Sequence, residues 1–362
     1  GIDIFAPPTD PDGSRRPGDF ACCSEVNRVK LYTAGTVASD LGYYISFPLG
    51  GSGVEQAYMR FTNMFGQGTL GADIGAFRTS DYDAVSTSSR DWFAERDPAL
   101  YGNGSYTGGD QGMTAGYVDT GIRLYGNPGR GLFSYDLIYT TGARASGSVG
   151  RSKGRAISLM GRVDSNNFSG SLRYWNSESG QITFKKNKTT NFFSHDLKTG
   201  TDSNYDYFPG DPTNPDETSH DLVLSLKYEK VVWQAELVYD MNVFNVGQRT
   251  DINKNTYSQD SVTRNGLSLS GIVRVSSKLA LGARYGISST AAYDYRYNST
   301  SMKADSATAS LLEFKIEFTP VQNAKISFQY TLDRSGLSAR KDETGKAYDL
   351  QNKYVLLWDW AI

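Results

Sequence analysis

Side chains of this 362-residue chain alternate apolar and polar with a period of two, and its connections alternate long and short. No run of about 18 apolar residues is present, so no helix of the sequence is built to cross a membrane. Together these features predict an all-β fold, a transmembrane antiparallel β-barrel of about 16 strands with short periplasmic turns and long extracellular loops. Composition agrees: the apolar fraction is 38%, under the roughly 45–50% of soluble domains, while aromatics reach 13% and Gly numbers 38. A net charge of -2 supplies no field for nucleic acid, and none is expected as a partner.

The first element is a polar, Pro-rich segment, residues 1–27, with the barrel expected over 28–362. Strand segments begin near residues 29, 41, 54, 69, 114, 131, 155, 168, 221, 231, 265, 279, 307, 324 and 352. That makes fifteen, and bacterial single-chain barrels have even strand numbers, so one strand is unassigned. It lies in Ile2-Asp3-Ile4-Phe5, near Ile182 to Phe184, or upstream of Gly1. Long gaps at 78–112, 141–153, 177–219, 241–264, 289–306 and 333–351 alternate with short turns such as Asp164–Asn167, Lys230, Ser276–Lys278 and Thr319–Asn323. Loops sorted by length to opposite ends of one sheet fit an outer-membrane barrel; a soluble sandwich has no reason to sort them.

One face of eight segments between Phe133 and Ile362 holds thirty-six positions and no charge. The interleaved face holds thirteen, six basic and seven acidic. A Lys or Arg facing lipid costs roughly 2–4 kcal/mol near the bilayer midplane, which accounts for the empty face. The charged face should then line a lumen, with Arg274, Arg284, Lys227, Lys315, Lys325, Glu229, Glu236, Glu313 and Glu317 as candidate pore-lining residues. Their near balance predicts weak ion preference. The long connection after Arg78 carries both signs and is a candidate constriction loop, with Arg78, Asp81, Asp83, Arg90, Asp91, Glu95, Arg96 and Asp97 as its charged residues.

Chemistry of other kinds finds little support. Two histidines, His195 and His220, sit in polar surroundings and no Ser lies in a G-x-S-x-G context, so no enzymatic role is expected. Cys22 and Cys23 are adjacent and close a disulfide only with strain, and no metal or cofactor motif is recognised. Asp206, Asp211, Asp216 and Glu217 offer oxygen donors at spacings that match no EF-hand. The expected function is a water-filled channel in the bacterial outer membrane for passive diffusion of small hydrophilic solutes or ions, bounded by outer-membrane lipid.

The terminal stretch Tyr354-Val-Leu-Leu-Trp358-Asp-Trp360-Ala-Ile362 resembles the C-terminal signal by which outer-membrane proteins engage the barrel-assembly machinery, with Ile362 where such signals usually carry Phe or Trp. Residues 31–63 (LYTAGTVASDLGYYISFPLGGSGVEQAYMRFTN) and 70–77 (LGADIGAF) resemble the opening strands of porin-like barrels found beside secreted c-type cytochromes. That resemblance implies an alternative function, a sheath housing a multihaem cytochrome for electron transfer across the outer membrane. The partner would supply the haem, since this chain has no C-x-x-C-H attachment motif.

Overall fold

The computed structural model describes residues 2–3, 30–48, 54, 56–66, 68–79, 93, 118–141, 155–179, 183–189, 193–196, 203–208, 217–321, 324–333 and 353–360. In chain order the strands are β1 (Ile2–Asp3), β2 (Lys30–Ala38), β3 (Leu41–Pro48), β4 (Gln56–Phe61), β5 (Gly71–Arg78), β6 (Val118–Gly126), β7 (Phe133–Thr140), β8 (Ala156–Asp164) and β9 (Phe168–Ser179). Three short strands follow, β10 (Thr183–Asn187), β11 (Phe193–Asp196) and β12 (Tyr205–Phe208), and then β13 (Glu217–Glu229), β14 (Trp233–Thr250), β15 (Thr256–Arg274) and β16 (Leu279–Thr290). A hairpin of β17 (Tyr293–Tyr297) and β18 (Thr300–Ala304) precedes β19 (Ala307–Val321), β20 (Ala324–Asp333) and β21 (Lys353–Trp360).

Among the described residues, antiparallel pairing runs without a break from β2 through β9 to β13, through β16 to β19, and on to β21 and β1. The wall therefore has sixteen strands, and the β17–β18 hairpin leans on β15 to bring the sheet to eighteen. The unassigned strand is β1, whose Ile2 and Asp3 pair with Trp358 and Leu357 of β21, so the segment before residue 28 contributes to the wall. The other internal site considered, near Ile182 to Phe184, begins β10, which among the described residues pairs with β11 and β12 in a separate small sheet.

Two expected loops prove largely to be strand. β14 and β15 continue to Thr250 and from Thr256, so residues 251–255 alone connect them, and the 289–306 gap contains the β17–β18 hairpin. That hairpin turns at Asn298 and Ser299, both at positive φ (46° and 69°), the geometry of a tight two-residue turn. A strand standing in water needs no apolar outward face, so the apolar periodicity fades where these strands leave the membrane zone.

The wall is turned inside out relative to a soluble sheet. Leu137, Leu159, Leu172, Leu269, Phe314 and Ile316 stand exposed on the outside, while Asp136, Arg173, Arg284 and Glu313 on the inside are each 1% exposed. A lipid-facing belt explains this distribution, because closing every backbone hydrogen bond between strands is what lipid demands of a β-structure. Aromatic rings bracket the belt. Phe133, Phe168, Tyr228 and Trp233 lie near the short-turn end, with Tyr228 and Trp233 centroids 4.3 Å apart. Tyr139, Tyr239, Tyr330 and Tyr354 lie toward the other end, the last two 4.6 Å apart. Amphipathic rings prefer the headgroup boundary.

Candidate functional site in the barrel interior

The inner wall over β16, β19 and β20 is a packed network of charges. Arg284 pairs with Glu313, both buried, and the other Glu313 oxygen accepts hydrogen bonds from Gln329 Nε2 (2.7 Å) and Thr331 Oγ1 (2.9 Å). Toward the short turns, Lys315 and Lys325 converge on Glu317 at 2.9 and 3.3 Å. Strand register sets this geometry: Arg284 lies directly opposite Glu313, and Glu313 opposite Thr331, so the side chains share one face at one height.

Against this wall rests Phe93, a residue of the long connection between β5 and β6. Its ring is 2% exposed, packs with Ile272 and Ala280, and has the Arg284 guanidinium carbon 4.6 Å from its centroid. Counting along the pairing, β15 is the sixth strand beyond β6, close to the opposite side of a sixteen-strand wall. Arg284 thus meets a carboxylate on one side and the negative face of an aromatic ring on the other.

Across the lumen, β2 to β6 present a different surface. Tyr32, Tyr44 and Tyr58 form a row with near-parallel rings, centroids 6.4 and 5.3 Å apart and planes inclined by 14° and 23°. The row continues downward as a cation–π series, with the Arg60 guanidinium 5.2 Å from the Tyr58 ring and 5.9 Å from that of Tyr125, and Arg123 5.6 Å from Tyr125. Asp73 accepts two hydrogen bonds from Arg60 (2.8 and 2.9 Å) and a longer one from Tyr125 Oη (3.4 Å). Asp136 meets Arg123 at 2.5 Å and Arg173 at 3.6 Å.

Two glycines make room for this arrangement. Gly75 lies opposite Tyr58 at φ +134°, and a Cβ there would stand 2.3 Å from the Ala57 carbonyl oxygen. Gly71 lies under Tyr125, whose ring carbons would be 2.7 and 2.8 Å from an added Cβ. At the short-turn end the surface opens into a cavity of about 590 Å³ whose lining includes Arg123, Tyr125, Arg130, Tyr135, Arg162 and Asp164. Arg162 and Asp164 pair there at 2.8 Å.

The charged residues expected in the lumen all lie on strands of the wall. Arg284, Glu236, Glu313, Lys315 and Glu317 are buried on its inward face, and Lys227 and Lys325 are half-buried. Arg274 and Glu229 sit exposed at strand ends beside the short turns. Of the candidate constriction residues, Arg78 closes β5, its backbone N–H donating to Gln56 Oε1 at 3.2 Å. Asp81, Asp83, Arg90, Asp91, Glu95, Arg96 and Asp97 fall outside the described residues, as do Cys22 and Cys23. The reading of the sequence passed over Phe93 and the Tyr32, Tyr44, Tyr58 row, because a ring facing a lumen and a ring facing lipid look alike in composition. The signal available was parity: these tyrosines fall on the inward positions of their strands.

In the small sheet, Asp206 of β12 accepts a hydrogen bond from Tyr297 (3.2 Å) and lies 3.7 Å from Lys188 Nζ. Asp211 and Asp216 are outside the described residues, and among those described no group of three or more His, Cys, Asp or Glu is arranged to hold a metal. His220 is taken up by Tyr174, ring against ring with a 2.8 Å contact between the hydroxyl and Nδ1.

No family model and no curated relative matches the sequence. Solved structures do. The chain superposes on a complex of Salmonella typhi OmpF with daunomycin at a TM-score of 0.58 and 12% identity, covering 99% of this chain and 94% of that one. The trimer form of OmpT, an outer membrane protein of Vibrio cholerae, matches at 0.58 and 12%, covering 99% and 95%. An anion-selective porin from Comamonas acidovorans matches at 0.55 and 12%, covering 98% and 94%. Wall, inward charges and apolar belt together give this chain the porin-like fold of bacterial outer-membrane β-barrels.

Proposed function

We propose that the chain is an outer-membrane channel through which small hydrophilic solutes diffuse passively. The observation that carries this reading is Phe93, seated on the wall six strands beyond β6. A ring held at that point takes up space in the lumen and helps set the size of what passes. Selectivity for charge is weak, because the inward Arg, Lys, Asp and Glu are spent largely on one another: Arg60 with Asp73, Arg123 with Asp136, Arg284 with Glu313, Lys315 with Glu317. A pore whose charges are paired presents little net field to a passing ion.

No such observation favours a sheath for a multihaem cytochrome. The charges that would dock a partner are engaged with each other, and Phe93 occupies part of the space it would fill. The test is reconstitution of the purified chain in a planar bilayer. Stepwise ohmic conductance with a reversal potential close to zero in a salt gradient is expected, and a larger step for Phe93→Ala. A preparation that inserts and conducts nothing overturns the reading.

A further inference from the structure

The small sheet of β10, β11 and β12 stands on the lumen side of the wall, and strand register shows why. Glu236, Asp240, Asn242 and Val246 share one parity on β14, the parity that faces the barrel interior. Val246 pairs with Gln259 of β15, two residues from Tyr257, and Tyr257 lies directly opposite Tyr297 of β17. Cross-strand partners share a face, so Val246, Tyr257 and Tyr297 continue the inward side of the wall beyond the membrane zone. Phe208 of β12 packs into one cluster with these three residues and is 0% exposed. The small sheet therefore lies over the mouth of the tube instead of against its outside.

Among the described residues no backbone pairing joins this sheet to the wall; side chains hold it. Three of them close on a single ring. Lys186 of β10 holds its Nζ 3.8 Å from the centroid of Tyr297, and Phe208 meets the same ring edge to face at 6.1 Å and 82°. Asp206 accepts a hydrogen bond from the Tyr297 hydroxyl at 3.2 Å. Lys186 lies directly opposite Asp206, two residues from Phe208, so all three are presented from one face of the sheet. Tyr297 is the last residue of β17, beside the turn at Asn298 and Ser299. Cation–π, edge-to-face and single hydrogen-bond contacts are each modest. A sheet held by them comes away far more readily than one that shares a backbone ladder.

We propose that the β10–β12 sheet is a size filter at the outer mouth, and that Tyr297 is the residue that latches it in place. This rests on the channel reading and adds a second determinant of solute size, met before the ring of Phe93. Latched, the sheet takes up room above the lumen on the β14–β15 side. Released from Tyr297, it leaves that room to bulkier solutes.

The test uses the full chain in a planar bilayer and in vesicles. Neutral polyethylene glycols of graded size are added to one side at a time, and a polymer that enters lowers the conductance. In Tyr297→Ala the largest polymer admitted from the long-connection side should be bigger than in the unaltered chain, with no change from the short-turn side. Trypsin reports on the sheet itself. Lys186 is 8% exposed, and cleavage after it should speed up about tenfold in Tyr297→Ala, the scale for losing one ring contact from the docked state. Tyr297→Phe, which keeps the ring, should stay close to the unaltered chain in both readouts, and heat-modified gel mobility of each variant confirms that it is folded. Faster cleavage at Lys186 with an unchanged size limit overturns the filter and leaves the channel reading standing. Unchanged cleavage overturns the latch. Faster cleavage in a chain that conducts nothing overturns the channel reading and keeps the latch.

Discussion

The guanidinium of Arg284 sits between the carboxylate of Glu313 and the ring of Phe93, joining β16 and β19 of the wall to the connection between β5 and β6. This contact couples the width of the lumen to the integrity of the wall, and the first two predictions follow from it.

Phe93→Ala removes a ring that is buried against Ile272, Ala280 and Arg284. Conductance should rise while folding into vesicles persists. The stability loss should stay under the roughly 3–5 kcal/mol typical for emptying a buried phenylalanine site, since a lumen can admit water where a core cannot. Single-channel recording and denaturant titration of the same preparation separate the two effects.

Glu313→Ala leaves Arg284 buried without its carboxylate, and Gln329 and Thr331 without their acceptor. Breaking a buried pair from one side costs about 3–5 kcal/mol. Unfolding in guanidinium, followed by tryptophan fluorescence, should show the loss, and the double variant Arg284→Met with Glu313→Leu should recover much of it.

Leu159 stands exposed near the middle of β8 on the apolar side. Leu159→Arg should cost roughly 2–4 kcal/mol in lipid, measured by folding into vesicles. Ser158→Arg, one residue away on the inner face, should change the current more than the folding yield.

Gly75→Ala forces a Cβ toward the Ala57 carbonyl and puts a side chain at φ +134°. The β4–β5 pairing must shift, so the Tyr58 ring should lose its alignment with Tyr44. A drop in heat-modified mobility on gels, with loss of near-ultraviolet circular dichroism from tyrosine, is the expected outcome.

Burial first, and then the neighbouring Asp206, push the phenol of Tyr297 up from 10.0 to about 12. The neutral phenol is the form the fold favours, so this contribution to stability is whole below pH 10 and disappears as pH rises through about 12. An ultraviolet titration of Asp206→Asn should find Tyr297 ionising at lower pH than in the unaltered chain, though still above its ordinary value, because burial persists.

Strand identity and facing were legible wherever burial differed on the two sides. Leu137 against Asp136, or Phe314 against Glu313, betray the two sides of the wall by alternation alone. Ile2 and Asp3 were legible only as a scrap, since two residues carry no period; their pairing with Trp358 and Leu357 is a long-range fact. Thr250 and Thr256, at the ends of β14 and β15, lie in polar sequence that a strand in water shares with a loop. Phe93 was hidden for a different reason: the partners of a loop residue lie almost two hundred residues away at Ile272 and Ala280, and nothing near it in sequence marks them.

β14 and β15 have 18 and 19 residues. Crossing the hydrocarbon takes about 9–11 residues of a tilted strand. β14 and β15 therefore run on past the hydrocarbon and stand as a polar parapet on their part of the rim. Whatever approaches the tube from that side meets this exposed polar sheet before it meets any side chain of the lumen.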